Sequence, residues 1–103
     1  MTGERTAEVV LTGELDITTY EDAEKQVTDA EQAAPALLII DLAGLQFVDS
    51  TGVRLILAAD QRAREQGRQL ALRLGDGLAR RVFAALGLLD KFDVLDAQPS
   101  GRP

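Results

Sequence analysis

Residues 37–42 have the sequence Leu-Leu-Ile-Ile-Asp-Leu, and this stretch decides the fold class. Four consecutive aliphatic residues without polar alternation are typical of a strand that is buried on both faces or under helices. Immediately upstream, Pro35 ends a segment in which Ala23, Val27 and Ala30 recur at helical spacing. A buried strand preceded by an amphipathic helix indicates an α/β protein.

The same strand–helix alternation continues through the rest of the chain. Strands are predicted at 7–11, 37–42, 68–74 and 92–95, and helices at 20–33, 50–66 and 78–86. Strict alternation implies right-handed crossovers, so we predict one domain with a mixed, mostly parallel four-stranded sheet packed with helices. Loops after parallel strands meet at one sheet edge, where open α/β sheets bind ligands. Asp16 and residues 49–51 are expected there, with residues 43–49 forming a loop.

Composition excludes several classes of function. The 103 residues suffice for one domain, and the chain has neither cysteine nor histidine, which rules out thiol nucleophiles, Ser-His-Asp triads and His- or Cys-ligated zinc. A formal net charge of −6 argues against nucleic acid as a partner. No apolar run approaches the ~18 residues of a membrane span. We therefore expect a soluble cytoplasmic domain without enzymatic activity, and a catalytic carboxylate pair of Asp16 and Asp49 is disfavoured.

The segment Asp49-Ser50-Thr51-Gly52 opens the second predicted helix and allows two interpretations. In the first, Ser50 or Asp49 simply caps the helix, which stabilises it by about 0.5–2 kcal/mol, and Gly52 permits close packing. In the second, the helix N-terminus accommodates a phosphoryl group on Ser50. Such a group adds roughly −1.5 to −2 charge. Beside Asp49 and Asp16, it would make the loop strongly anionic and repel a docked partner.

The helix after Ser50 leaves a second question open. Val53 and Leu57 lie beyond the arc expected to face the sheet, on either side of Asp60 and Arg64. They form either the boundary of a wide core stripe or a small exposed apolar patch beside Ser50. Asp60 and Arg64, an i, i+4 pair, are expected to be largely solvated.

Two short sequence motifs, taken together with their separation along the chain, resemble those of a known family. Residues 11–16 (Leu-Thr-Gly-Glu-Leu-Asp) and 47–52 (Phe-Val-Asp-Ser-Thr-Gly), with the strand at 38–42 between them, are similar to the STAS domain family. The chain resembles in particular the bacterial anti-sigma factor antagonists. The resemblance covers about residues 7–96 and continues to 86–88 (Leu-Gly-Leu). It places the domain at 7–96, after a short or disordered lead at 1–6 and before a flexible tail at 97–103.

The resemblance implies a function and a set of partners. Ser50 matches the serine phosphorylated by an anti-sigma factor with serine kinase activity, and Thr51 is the fallback acceptor. The unmodified antagonist binds the anti-sigma factor and frees a sigma factor, and a PP2C-type phosphatase restores binding after phosphorylation. ATP and Mg²⁺ belong to the kinase, so no cofactor or metal is expected on this chain. The residues expected to bind the partner are Asp16, Asp49, Ser50, Thr51, Gly52, Val53 and Leu57.

The resemblance also leaves open an alternative function, and the chain departs from the family's pattern of strands in one respect. STAS domains serve as accessory parts of lipid ABC transporters and anion transporters, where no kinase switch operates. Family members generally carry a strand before the Leu-Thr-Gly-Glu-Leu-Asp strand, but only six residues precede Ala7 here. We therefore expect an open sheet edge, which allows pairing with another chain or a weak homodimer.

Overall fold

The computed structural model describes residues 5–95 and confirms the predicted alternation of strands and helices. The helices are α1 (Tyr20–Gln32), α2 (Ser50–Glu65) and α3 (Leu78–Ala85). The strands are β1 (Thr6–Val10), β2 (Gly13–Leu15), β3 (Leu37–Asp41), β4 (Leu45–Val48), β5 (Gln69–Arg73) and β6 (Asp93–Leu95), and a 3₁₀ turn lies at Leu89–Lys91. Of the predicted N-terminal lead, Thr6 already belongs to β1 and residues 1–4 lie outside the described residues, as does the predicted tail at 97–103.

Four strands form the main sheet in the order β1-β3-β5-β6. All three of its pairings are parallel, and the register is unbroken, with Ala7 opposite Leu38 and Leu38 opposite Leu70. Because the order advances in one direction and crossovers are right-handed, the helices collect on one face. The α/β class and the four-stranded sheet are thus confirmed, with no antiparallel pair within residues 5–95.

The core lies between this sheet and the helices. In β3, Leu38, Ile39 and Ile40 are all buried, which confirms the prediction made from the aliphatic run. Leu38 and Ile40 join the main core cluster, to which the helices contribute side chains such as Val27 and Ile56. The rings of Phe83 and Phe92 pack edge to face, with their centroids 5.9 Å apart. This contact packs α3 against the segment that leads into β6.

Strands β2 and β4 were not predicted, and they form a separate two-stranded parallel sheet, here called the ribbon. The segment 43–49 was expected to be a loop, and that expectation is wrong for residues 45–48. Strands of three and four residues are too short to show a hydrophobic period. Gly13, with φ of +77°, starts the ribbon immediately after the turn that leaves β1.

The expected solvation of Asp60 is also wrong. Asp60 is only 8% exposed, and its carboxylate accepts a hydrogen bond from Arg64 Nε at 2.9 Å. Lys91 Nζ lies 3.6 Å from the same carboxylate oxygen. Lys91 belongs to the 3₁₀ turn, so a distant segment covers this side of α2, which helical periodicity alone does not reveal.

Among residues 5–95, the structure contains no helix with the length and apolar character needed to cross a bilayer. Within the same residues, β1 pairs with β3 and stands first in the strand order, so it forms one edge of the main sheet.

Candidate docking site at the start of helix α2

The ribbon brings the two predicted acidic positions to one edge of the fold. Asp49 donates its backbone N–H to the Leu15 carbonyl at 3.2 Å, so the ends of β2 and β4 lie side by side. Asp16 directly follows Leu15, and Asp49 directly precedes α2. The two residues therefore lie at the same edge, as predicted, although they follow the strands of the ribbon and not the predicted strands at 7–11 and 37–42.

Asp49, and not Ser50, caps helix α2. Its Oδ1 accepts the N–H groups of Thr51 at 2.9 Å and Gly52 at 3.1 Å. Its extended backbone is typical of an N-cap residue. Of the two residues considered for the cap, Asp49 performs that role, so the Ser50 side chain does not cap the helix.

Removing the Asp49 cap is expected to lower the stability of the domain. We expect Asp49→Ala to lower the free energy of unfolding by about 1 kcal/mol, because two backbone donors lose their acceptor. Asp49→Asn retains an acceptor at the same position and is expected to lose less. Urea denaturation followed by circular dichroism measures both, and equal losses for Ala and Asn would assign the effect to charge instead of hydrogen bonding.

Ser50 is the first residue of α2 and is exposed. Within residues 5–95 its hydroxyl has no hydrogen-bond partner, whereas Thr51 beside it is half-buried. A free, exposed hydroxyl at a helix start is accessible to a modifying enzyme, and the first helical turn adds a positive electrostatic potential. An enzyme can therefore reach the Ser50 hydroxyl more easily than the Thr51 hydroxyl.

The carboxylate of Asp16 is engaged within its own turn. Its Oδ1 accepts the Thr18 hydroxyl at 2.7 Å and the N–H groups of Thr18 and Thr19 at 2.9 and 3.2 Å. The hydrogen bond from the Thr18 hydroxyl, with help from these N–H groups, lowers the pKa of Asp16 below its ordinary value. An aspartate is ionised at neutral pH even at its ordinary pKa, so the lowered pKa extends the ionised form to more acidic solution, and the same hydrogen bonds order the turn between β2 and α1.

Two of the expected partner-binding side chains are buried or partly buried. Val53 is 6% exposed, and Leu57 is partly buried against the core cluster, so the interpretation as an exposed patch is wrong and the core-boundary interpretation is confirmed. Gly52 is buried as well. A Cβ at Gly52 would lie 2.7 Å from the Leu15 carbonyl oxygen, which shows that the ribbon gives the first turn of α2 a second packing surface.

The exposed apolar side chains in and next to the ribbon belong to other residues. Ile17 is 75% exposed in the turn after β2, and Phe47 is 48% exposed in β4. Sequence reasoning missed both as surface residues, because isoleucine and phenylalanine are ordinarily assigned to the core. We call Ile17, Phe47 and Ser50, with the carboxylates of Asp16 and Asp49, the docking surface.

Comparisons with known proteins give one family and several solved structures of similar fold. The family model described as STAS domain matches residues 3–99. The anti-sigma factor antagonist SpoIIAA in its unphosphorylated form is 27% identical with a TM-score of 0.74, and the match covers 95% of this chain and 84% of that one. SpoIIAA of Bacillus in the phosphorylated form is 28% identical with a TM-score of 0.69, covering 95% and 87%. A sulfate transporter family protein from Wolinella succinogenes, 16% identical with a TM-score of 0.71 over 86% and 75%, shares the fold.

Proposed function

The chain belongs to the STAS domain family, and on that premise we propose that it is an anti-sigma factor antagonist with a regulatory instead of a catalytic role. In its unmodified form it binds an anti-sigma factor that is also a serine kinase, and this binding releases a sigma factor. Phosphorylation of Ser50 ends the binding, and a PP2C-type phosphatase restores it. The likeness to SpoIIAA, an anti-sigma factor antagonist known in unphosphorylated and phosphorylated forms, supports this assignment.

The observation that carries the proposal is the exposed Ser50 hydroxyl at the first turn of α2, beside the cap residue Asp49. Exposure allows the kinase to reach the oxygen. Ile17 and Phe47 supply apolar contact area next to it, and partly exposed aromatic and aliphatic side chains are the usual anchors of an interface. The same surface therefore serves as docking site and phosphorylation site.

The electrostatics of the first turn explain how a phosphoryl group switches recognition. The N–H groups of Thr51 and Gly52 already bond to Asp49 Oδ1. A phosphoryl group on Ser50 adds roughly −1.5 to −2 charge next to that carboxylate and competes with it for the same donors. Asp16, which is ionised at neutral pH, adds to the negative potential. The partner then meets a strongly anionic surface, so the complex dissociates.

The chemical step makes few demands on this chain. The Ser50 Oγ forms the bond to the γ-phosphorus of the kinase's ATP, ADP leaves, and the hydroxyl proton is released to the kinase. This chain contributes the acceptor oxygen and its position at the start of α2. The ATP and Mg²⁺ are held by the kinase.

Phosphate mapping tests the proposal. Incubation with the anti-sigma kinase of the same organism, ATP and Mg²⁺ is expected to add one phosphate, and peptide mass spectrometry is expected to place it on Ser50. Thr51→Ala, which removes the neighbouring hydroxyl, serves as the matched control and should accept phosphate normally, whereas Ser50→Ala should accept none. Modification of Thr51 in the unaltered chain, or no modification, would refute the assignment.

The shared fold with the Wolinella protein keeps a transport role as the second candidate. In that role the docking surface contacts a transporter subunit, and no kinase acts on Ser50. Copurification of the chain with an ATPase subunit of a transporter, together with an unmodified Ser50, would favour this role over the first.

A further inference from the structure

Helix α2 contains one arginine that has no carboxylate partner within residues 5–95. Of its three arginines, Arg62 donates from Nε to Glu31 at 3.0 Å, and Arg64 donates from Nε to Asp60 at 2.9 Å. Arg54 is exposed and makes no ion pair or side-chain hydrogen bond in this part of the chain. Its guanidinium is therefore available to an anion that comes within reach.

Arg54 lies one turn after Ser50 on the same exposed side of the helix. Residues four apart in a helix are neighbours, with about 5–6 Å between their Cβ atoms. Both positions are exposed, whereas Gly52, Val53 and Leu55 are buried. An acidic group four residues before a basic one is also the more favourable order along a helix. A negative charge on Ser50 would therefore lie next to the Arg54 guanidinium.

Two backbone donors of the first turn are already occupied. Asp49 Oδ1 accepts the N–H groups of Thr51 and Gly52. A phosphoryl group on Ser50 can take these donors only by displacing the carboxylate that caps the helix, which costs stability. The N–H groups of Arg54 require no such displacement, because they bind no other residue within 5–95.

The segments that form the docking surface contain no cationic residue of their own. Residues 11–20 and 43–53 include neither lysine nor arginine, but they include the carboxylates of Glu14, Asp16 and Asp49. A guanidinium is a planar group that binds phosphate through two parallel hydrogen bonds. Arg54 is the first residue after these segments, so it is the cation that lies nearest to Ser50 along the chain.

We propose that Arg54 binds the phosphoryl group once Ser50 carries it, through an ion pair along one turn of α2. This inference rests on the proposed function for the presence of the phosphoryl group, and it adds the residue that holds this group. Asp49 then keeps its hydrogen bonds to Thr51 and Gly52, so the helix cap persists in the modified chain. A phosphoryl group carries roughly −1.5 to −2 charge, so Arg54 cancels only part of it and the surface remains anionic. The guanidinium is also no longer available to a docked partner.

Titration of a phosphoserine at position 50 tests the pairing. The phosphoserine is installed during translation by stop-codon suppression, so the test does not depend on a kinase. Phosphorus NMR then follows the second dissociation of the phosphate with pH in the otherwise unaltered chain and in Arg54→Gln. A neighbouring cation lowers the pKa of the phosphate, so its second dissociation constant should be about twofold larger with arginine than with glutamine. High salt should reduce this difference.

Moving the arginine along the helix provides the matched control. The double variant Arg54→Gln with Ala58→Arg keeps the net charge and places the guanidinium at another exposed position of α2, about 12 Å along the axis from Ser50. Its phosphate should titrate like that of Arg54→Gln alone. If it titrated like that of the chain with Arg54, the effect would come from net charge, and the pairing would be refuted.

The side chain of Arg54 gives a second readout. In NMR spectra, phosphoserine at position 50 should shift the Nε–H resonance of Arg54 and slow its exchange with water, because the N–H is then hydrogen-bonded. An unchanged Arg54 resonance would overturn the proposal. Failure of the kinase to modify Ser50 would refute the proposed function, whereas failure of these two measurements would refute only the pairing, so the two failures are distinguishable.

Discussion

Replacing Ser50 with aspartate is expected to weaken binding to the anti-sigma factor by a factor of about 30 or more, whereas alanine should leave affinity nearly unchanged. The aspartate places a second carboxylate next to Asp49 at the first turn of α2. Asp49 already accepts the N–H groups of Thr51 and Gly52 there. Like charges at an interface are costly, and alanine only shortens an exposed side chain. Titration calorimetry with the purified anti-sigma factor measures both affinities.

Asparagine at position 50 is the matched control, because it has nearly the shape of aspartate without the charge. If charge drives dissociation, Ser50→Asn binds much more tightly than Ser50→Asp, and the deficit of the aspartate variant shrinks at high salt. The melting temperatures of the three variants should be similar, since Ser50 is exposed. Equal weakening by asparagine and aspartate would assign the effect to bulk and contradict an electrostatic switch.

Gly52→Ala is expected to lower the free energy of unfolding by about 3 kcal/mol, the upper end of typical overpacking costs. The added Cβ would lie 2.7 Å from the Leu15 carbonyl oxygen and 2.8 Å from both Leu15 Cγ and Val48 Cγ2. One of these atoms is backbone, so a side-chain rotation cannot relieve the contact and the ribbon must separate from α2. For a domain of this size the melting temperature should fall by roughly 10–20 °C.

Gly77→Ala provides the comparison for this prediction. A Cβ at Gly77 meets nothing within 4 Å, so the same substitution there should cost less than about 1 kcal/mol. Denaturant unfolding monitored by circular dichroism gives both values. If the two alanine variants were equally stable, the close approach of the ribbon to α2 would not contribute to the stability of this domain.

The docking surface depends on the same close approach. Gly52 lets the ribbon lie against α2, and the hydrogen bond from Asp49 to Leu15 aligns the two ends. We therefore expect a destabilised Gly52 variant to lose partner binding together with its fold, unlike the Ser50 variants. Comparing binding with stability in both series separates the role of the scaffold from the role of charge.

Local sequence determined the main elements of this protein. The four strands of the main sheet and the three helices follow from hydrophobic periods, from Pro35 and from a polar residue at a helix start, all of which act within a few residues. The position of Ser50 in the first turn of α2 followed from the same signals. The resemblance carried by residues 11–16 and 47–52 then indicated the family, because two short motifs at a defined separation are more specific than either alone.

The tertiary structure decided the features that depend on distant segments. The ribbon pairs residues about thirty positions apart, such as Glu14 with Phe47, in strands too short to show a period. That pairing places Leu15 and Val48 against Gly52, and it leaves Phe47 exposed. Asp60 is covered because the 3₁₀ turn brings Lys91 to it. Whether a residue is buried depends on what packs against it. A local sequence pattern therefore does not reveal burial by a segment that lies far along the chain.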